Sequence, residues 1–199
     1  CIRYKDVKKT FMKIKNLYQT LEDRDNTDEI ERHGAYKCEH EKTWFGKGYY
    51  FWDTFIKLAH WWGKQAHKGN YIICHATCHN DEDIILDLVG NTEQMDDFEE
   101  YKEELEKVYG DKKMTPAFVI EHMKKHMKTF SYKAIRAYAI NSVKYDKDLT
   151  AKRLPIKDDK NVYLDLKPAI QFCIIDKKAM GLKNYKVIYP DIYNKGYVG

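Results

Sequence analysis

The chain has no run of about 18 apolar residues, so no membrane-spanning helix is expected. It opens Cys1-Ile2-Arg3-Tyr4-Lys5 and runs straight into charged residues, which is not the pattern of a signal peptide. A start at Cys1 suggests that residues precede it in the native protein. There is no internal repeat and no low-complexity linker. The five cysteines are an odd number in a chain too long to need disulfide staples, so reduced thiols in a cytoplasmic protein are the expectation. No Cys-X2-Cys pair occurs, which leaves zinc held by Cys74, Cys78 and His79, with Cys38 as a fourth ligand, a weak reading. Cys74-His75-Ala76-Thr77-Cys78-His79 is a spacing variant of a c-type haem attachment run. Haem would need export, a second axial ligand and a pocket, none of them indicated. A core strand carrying small thiols is the default there. His122 and His126 lie four apart, but no glutamate follows the first, so they read as a polar helix face.

At 199 residues, 43% hydrophobic and 33% charged, the sequence is that of one globular domain with enough length for a core. The net charge of +4 conceals an asymmetry. Residues 81–107 hold twelve acids against Lys102 and Lys107, whereas residues 112–160 hold thirteen Lys or Arg against five acids. Two solvated helix faces explain this. The functional alternative is a basic surface for an acidic partner, nucleic acid included.

Apolar spacing predicts a strand at about 1–5 and a helix over about 7–21, with Val7, Phe11, Ile14, Leu17 and Leu21 on one face. Residues 22–43 are polar and read as a loop or insertion. Then comes Trp44-Phe45-Gly46-Lys47-Gly48-Tyr49-Tyr50-Phe51-Trp52-Asp53. It reads as a glycine turn feeding an aromatic strand, with Asp53 capping a helix to about residue 67. That arrangement makes either a hairpin entering the core or a wall for a flat aromatic ligand. Strands are expected near 71–78 and 84–88, and helices over about 94–109 and 115–128. The second helix has Thr115 as cap and Pro116 in its first turn. Residues 132–143 read as a further helix, Pro155 and residues 157–160 as a loop, and 170–176 and 185–189 as strands. The first of these last two reads as fully buried.

The run Phe45-Gly46-Lys47-Gly48-Tyr49-Tyr50-Phe51 resembles the phenylalanine-glycine-lysine-glycine-X-tyrosine-phenylalanine signature of ADP-ribosyltransferases of the poly(ADP-ribose) polymerase and diphtheria-toxin type. Ala59, Trp61 and Trp62 continue the likeness. Ile85-Leu86-Asp87-Leu88 is similar to the strand end of small bacterial toxin-like members. The likeness is good over about residues 42–90 and loose towards both ends.

The resemblance implies one α+β domain over 1–199, a split antiparallel sheet with helices inserted at about 92–145. It implies NAD as substrate and transfer of ADP-ribose to a macromolecular acceptor, protein or nucleic acid, by a glycosyltransferase-class enzyme. The setting would be a bacterial toxin or phage-defence effector, with an antitoxin protein as a further partner. Tyr50 and Trp61 would sandwich the nicotinamide, with Tyr49 alongside. Backbone near Gly48, or beside Arg3 and Tyr4, would fix the amide. Gln171 falls where the family's catalytic glutamate belongs. It keeps a hydrogen bond to ribose but lacks the charge, which argues against polymer elongation and leaves a catalytically weak NAD or ADP-ribose-binding module as one alternative; the basic 112–160 region carries a second, a nucleic-acid-binding protein. The family's first motif residue, a histidine or arginine on the opening strand, matches Arg3. His33-Gly34 carries the family's letters but lies about 17 residues before Tyr50, too few for strand, helix and loop. Arg136 is a further anion-binding candidate, with a helix-surface ion pair as its competitor.

Overall fold

The computed structural model describes residues 13–110, 112–140, 153–157 and 162–193. They build a mixed α+β fold on one open, mostly antiparallel sheet. The strands are β1 (Ile14–Glu22), β2 (Tyr49–Asp53), β3 (Tyr71–His79), β4 (Ile85–Leu88), β5 (Ala134–Ile140), β8 (Ala169–Ile174) and β9 (Lys183–Tyr189). A separate hairpin pairs β6 (Arg153–Pro155) with β7 (Tyr163–Asp165). Spatial order in the large sheet is β4-β5-β8-β2-β1-β3-β9, and only the edge pair β4–β5 is parallel. The helices are α1 (Thr27–His33), α2 (Ile56–Ala66), α3 (Thr92–Tyr109) and α4 (Pro116–His126).

The inner strands sit where they do because their sequences can be buried on both sides. All six residues of β8 are buried, and β3 buries Tyr71 through Cys74 together with Ala76, Thr77 and Cys78. One face of the sheet stacks Leu17, Phe51, Phe172 and Ile174 against Met180 and Leu182. The other packs Trp52 and Ile73 under Leu58 and Ala59 of α2, and Ile135 and Cys173 under Ile120 of α4. Thr115 caps α4 through its side chain, accepting from the Phe118 N–H at 3.2 Å, with Pro116 in the first turn as expected.

Two expected helices are strands. Residues 14–21, placed in a helix by the spacing of Ile14, Leu17 and Leu21, form β1 together with Glu22, in nine registered pairs with β3. Residues 134–140, expected as helix, form β5 between β4 and β8. Tertiary pairing overrides local propensity in both. The inserted helices therefore end with α4. The polar 22–43 stretch is not all loop either: α1 forms within it and buries Ile30 against Ile72, Cys74 and Val187. The strand expected at 1–5, with Arg3 and Tyr4, lies outside the described residues.

Asp53 does not cap α2. The residue at the cap is Phe55, with no side-chain capping bond. The Asp53 carboxylate, 3% exposed, instead accepts from Lys15 Nζ (2.9 and 3.0 Å), Arg136 Nε (2.7 Å) and Thr54 Oγ1 (2.9 Å). Arg136 also donates through Nη1 to both oxygens of Asp87 at 3.0 Å, its neighbour in register on β4. Burial pushes the Asp53 carboxyl up, and the hydrogen bonds from Arg136 and Lys15 outweigh it, holding the group below its ordinary value. Arg136 is thus a strand residue committed to two carboxylates.

Candidate functional site

Strands β1 and β2 are neighbours over only two registered pairs, Leu17↔Asp53 and Tyr18↔Trp52. Beyond Tyr18 no further pair joins them, so the sheet opens there. A cavity of about 390 Å³ lies in the opening, within the ~300–1,000 Å³ range of small-molecule sites. Its aromatic wall is Trp44, Tyr50, Trp52 and Trp62. Lys37, His40, Lys42 and Thr43 line it from the 36–44 segment, and Gln19 and Gln171 line it from the sheet. No Asp or Glu lines it among the described residues.

The two glutamines differ in their bonding. Gln19, 6% exposed, is saturated. Its Oε1 accepts from the Tyr36 N–H (3.2 Å), and its Nε2 donates to the carbonyls of Tyr36 (3.2 Å) and Tyr50 (3.3 Å). The side-chain amide replaces the missing ladder and ties the 36–44 segment to the split. Gln171, 7% exposed, sits in register between Trp52 and Ala137. Its Oε1 is buried with no hydrogen-bond partner among the described residues. A buried acceptor without a donor costs about 1–3 kcal/mol, so this one calls for a donor from outside the described residues, a water's or a ligand's.

Tyr50 presents its ring rather than its hydroxyl. The hydroxyl accepts from the Phe45 N–H (2.8 Å) and donates to the Gly46 carbonyl (2.6 Å). The ring runs nearly parallel to that of Phe45, 17° apart with centroids at 6.3 Å. Burial, first among the causes, pushes the phenol above its ordinary value, so it is no proton acceptor at neutral pH. Gly46 needs its freedom at φ +87°, and Gly48 is glycine for packing. A Cβ at Gly48 would lie 2.5 Å from Cys173 Sγ and 2.9 Å from the Ile174 carbonyl oxygen. The Gly48 N–H and carbonyl are both taken by Cys38, so its backbone is not offered to a ligand.

The other expected site residues fall elsewhere. Trp61 does not line the cavity; it meets Trp52 edge-on (6.2 Å, 80°) and Trp62 at a tilt (5.9 Å, 44°). Trp62 and Trp44, themselves edge-to-face at 5.8 Å, take the wall position. Strand alternation turns Tyr49 to the opposite face from Tyr50, under Lys177. His33 is exposed at the end of α1, outside the cavity.

Gln19 does not stand out in the sequence, because its segment reads as helix. The strand formers Tyr18 and Thr20 on either side of it are the one local signal that could have found it. The thiols of Cys74, Cys78 and Cys173 are each pushed up to about 12 by burial, which makes them poor nucleophiles. Among the described residues no group of three His, Cys, Asp or Glu is placed to hold a metal, and no helix is long and apolar enough to cross a membrane. Comparison with family models, with curated proteins and with solved structures finds no match to this chain.

Proposed function

We propose that the split-sheet cavity binds NAD and that the protein transfers ADP-ribose to a macromolecular acceptor, on an ADP-ribosyltransferase-like fold. The observation that carries this reading is the Gln171 amide: a buried, unpartnered acceptor among aromatic rings, on the strand where the family resemblance expects the group that holds the ribose. The Tyr50 ring and the tryptophan wall provide stacking faces for nicotinamide, and Gln171 Oε1 accepts from a ribose hydroxyl. Lys37, His40 and Lys42 stand at the cavity as donors for phosphate oxygens. Glycosidic cleavage develops positive charge on the ribose, which a carboxylate would stabilise more than an amide dipole. Binding and orientation must therefore supply more of the acceleration here.

The lack of any carboxylate among the residues described at the cavity favours a second reading, an NAD or ADP-ribose-binding module with little turnover. Incubation with labelled NAD and cell extract, followed by protease or nuclease treatment, separates the two and names the acceptor. Transfer abolished by Gln171→Ala with NAD affinity nearly intact supports the transferase. Equal inertness of wild type and variant, with NAD still bound, leaves the binding module. No binding of NAD or ADP-ribose at about millimolar concentration ends both. Gln171→Glu is expected to raise NAD hydrolysis.

A further inference from the structure

Away from the cavity, and sharing no lining residue with it, a groove of about 640 Å³ gathers cations from three separate elements. Lys124 comes from the last turns of α4, Lys133 from the lead-in to β5, and Lys177 and Lys178 from the turn after β8. Aromatic rings lie between them: Tyr132, edge-to-face with Phe130 at 5.4 Å, and Tyr49, over which Lys177 Nζ stands at 4.8 Å. Asp176 is the one acid among the described residues that line the groove, and its Oδ1 already accepts from the Lys178 and Ala179 N–H groups. Lys124 is paired with Glu121 at 2.7 Å, whereas Lys133, Lys177 and Lys178 make no ion pair among the described residues. Complementing the C-terminal carbonyls of α4 accounts for Lys124. It does not account for three more lysines on two turns converging on the same aromatic floor.

We propose that this groove binds single-stranded nucleic acid. Unpaired lysines follow a phosphate backbone, and half-exposed aromatic rings between them offer faces on which unpaired bases stack; a duplex, whose bases are already stacked, cannot use the rings. Binding here stands whether or not the cavity turns over NAD, because Tyr49 and Tyr50 serve the two sites from opposite faces of β2.

The test is fluorescence anisotropy of the folded protein with a labelled oligothymidylate about 12 nucleotides long, a length within the site sizes of single-strand grooves. The expected result is saturable binding whose logarithm falls with log salt, with a slope near −2 to −3. Lys133→Glu with Lys177→Glu should weaken it at least about tenfold and flatten the slope by about 1.4, the share of two phosphates no longer neutralised. Tyr132→Leu should weaken it severalfold with the slope unchanged, and Gln171→Met should leave it intact. No binding overturns the proposal. So does equal affinity for the duplex or for polyglutamate, or full retention of affinity in the double lysine variant.

Discussion

The two faces of β2 place polar groups in opposite conditions. On one, Asp53 is buried and its carboxylate is engaged by Lys15, Arg136 and Thr54, with Asp87 completing the chain of charges. On the other, Trp52 abuts Gln171, whose carbonyl oxygen is equally buried and has no partner among the described residues. By residue type alone, Asp53 and Arg136 are the more reactive pair. The structure reverses the order: the charges are committed to joining β1, β2, β5 and β4, and the neutral amide is the group left open. Satisfied polar groups hold a fold together, and an unsatisfied one in a cavity is a candidate place for a ligand's donor.

The largest expected effect breaks the satisfied side. Asp53→Asn removes the charge between two cations and should cost about 3–5 kcal/mol of stability, read by urea unfolding. The same network sets an acid limit. The Asp53 carboxyl titrates below its ordinary 3.8 in the folded protein, so its contribution is full above that value and is lost as pH falls through the folded value. Unfolding midpoints should drop below about pH 4, and less steeply in Asp53→Asn.

Next is Gln19, which lines the same cavity as Gln171 but is fully bonded. Gln19→Leu strands the Tyr36 N–H and two carbonyls, and should cost about 1–3 kcal/mol by the same measurement. A neutral result would mean that the amide does not hold the split together.

On the open side, Tyr50→Ala should weaken NAD binding by about 1–3 kcal/mol in calorimetry, the scale of a lost stacking face. Tyr50→Phe sharpens the assignment: it keeps the ring and loses the bonds to Phe45 and Gly46, so affinity should persist while stability falls. The reverse pattern would give the role to the hydroxyl.

Much of this fold is legible in the sequence. The glycine turn, β2, α2, β3, β4, α3, α4 and the fully buried β8 follow from periodicity, caps and apolar runs. β1 and β5 do not, because Leu17 and Leu21 fall at helical spacing by accident and alanines in β5 suit close strand neighbours as well as they suit a helix. The site is half legible. Tyr50 and Gln171 stand out by motif and meet at the cavity. Gln19 hides in the misread strand. Trp62 replaces Trp61, since one step around α2 decides which ring meets the opening. Nothing in the sequence reveals that the Gly48 backbone is already bonded to Cys38.

The smallest expected effect on stability provides the most direct test. Thermal unfolding of wild type and Gln171→Met is compared without NAD and with saturating NAD. Removing an unsatisfied buried acceptor at nearly constant volume should leave stability unchanged or raise it by up to about 1 kcal/mol. Saturating NAD should then raise both midpoints, the variant's slightly less than the wild type's because one hydrogen bond to a ribose hydroxyl is lost. A variant destabilised in the way expected for Gln19→Leu, or a wild type whose midpoint NAD does not move, would contradict the assignment of Gln171 as the open hydrogen-bonding group of a ligand site.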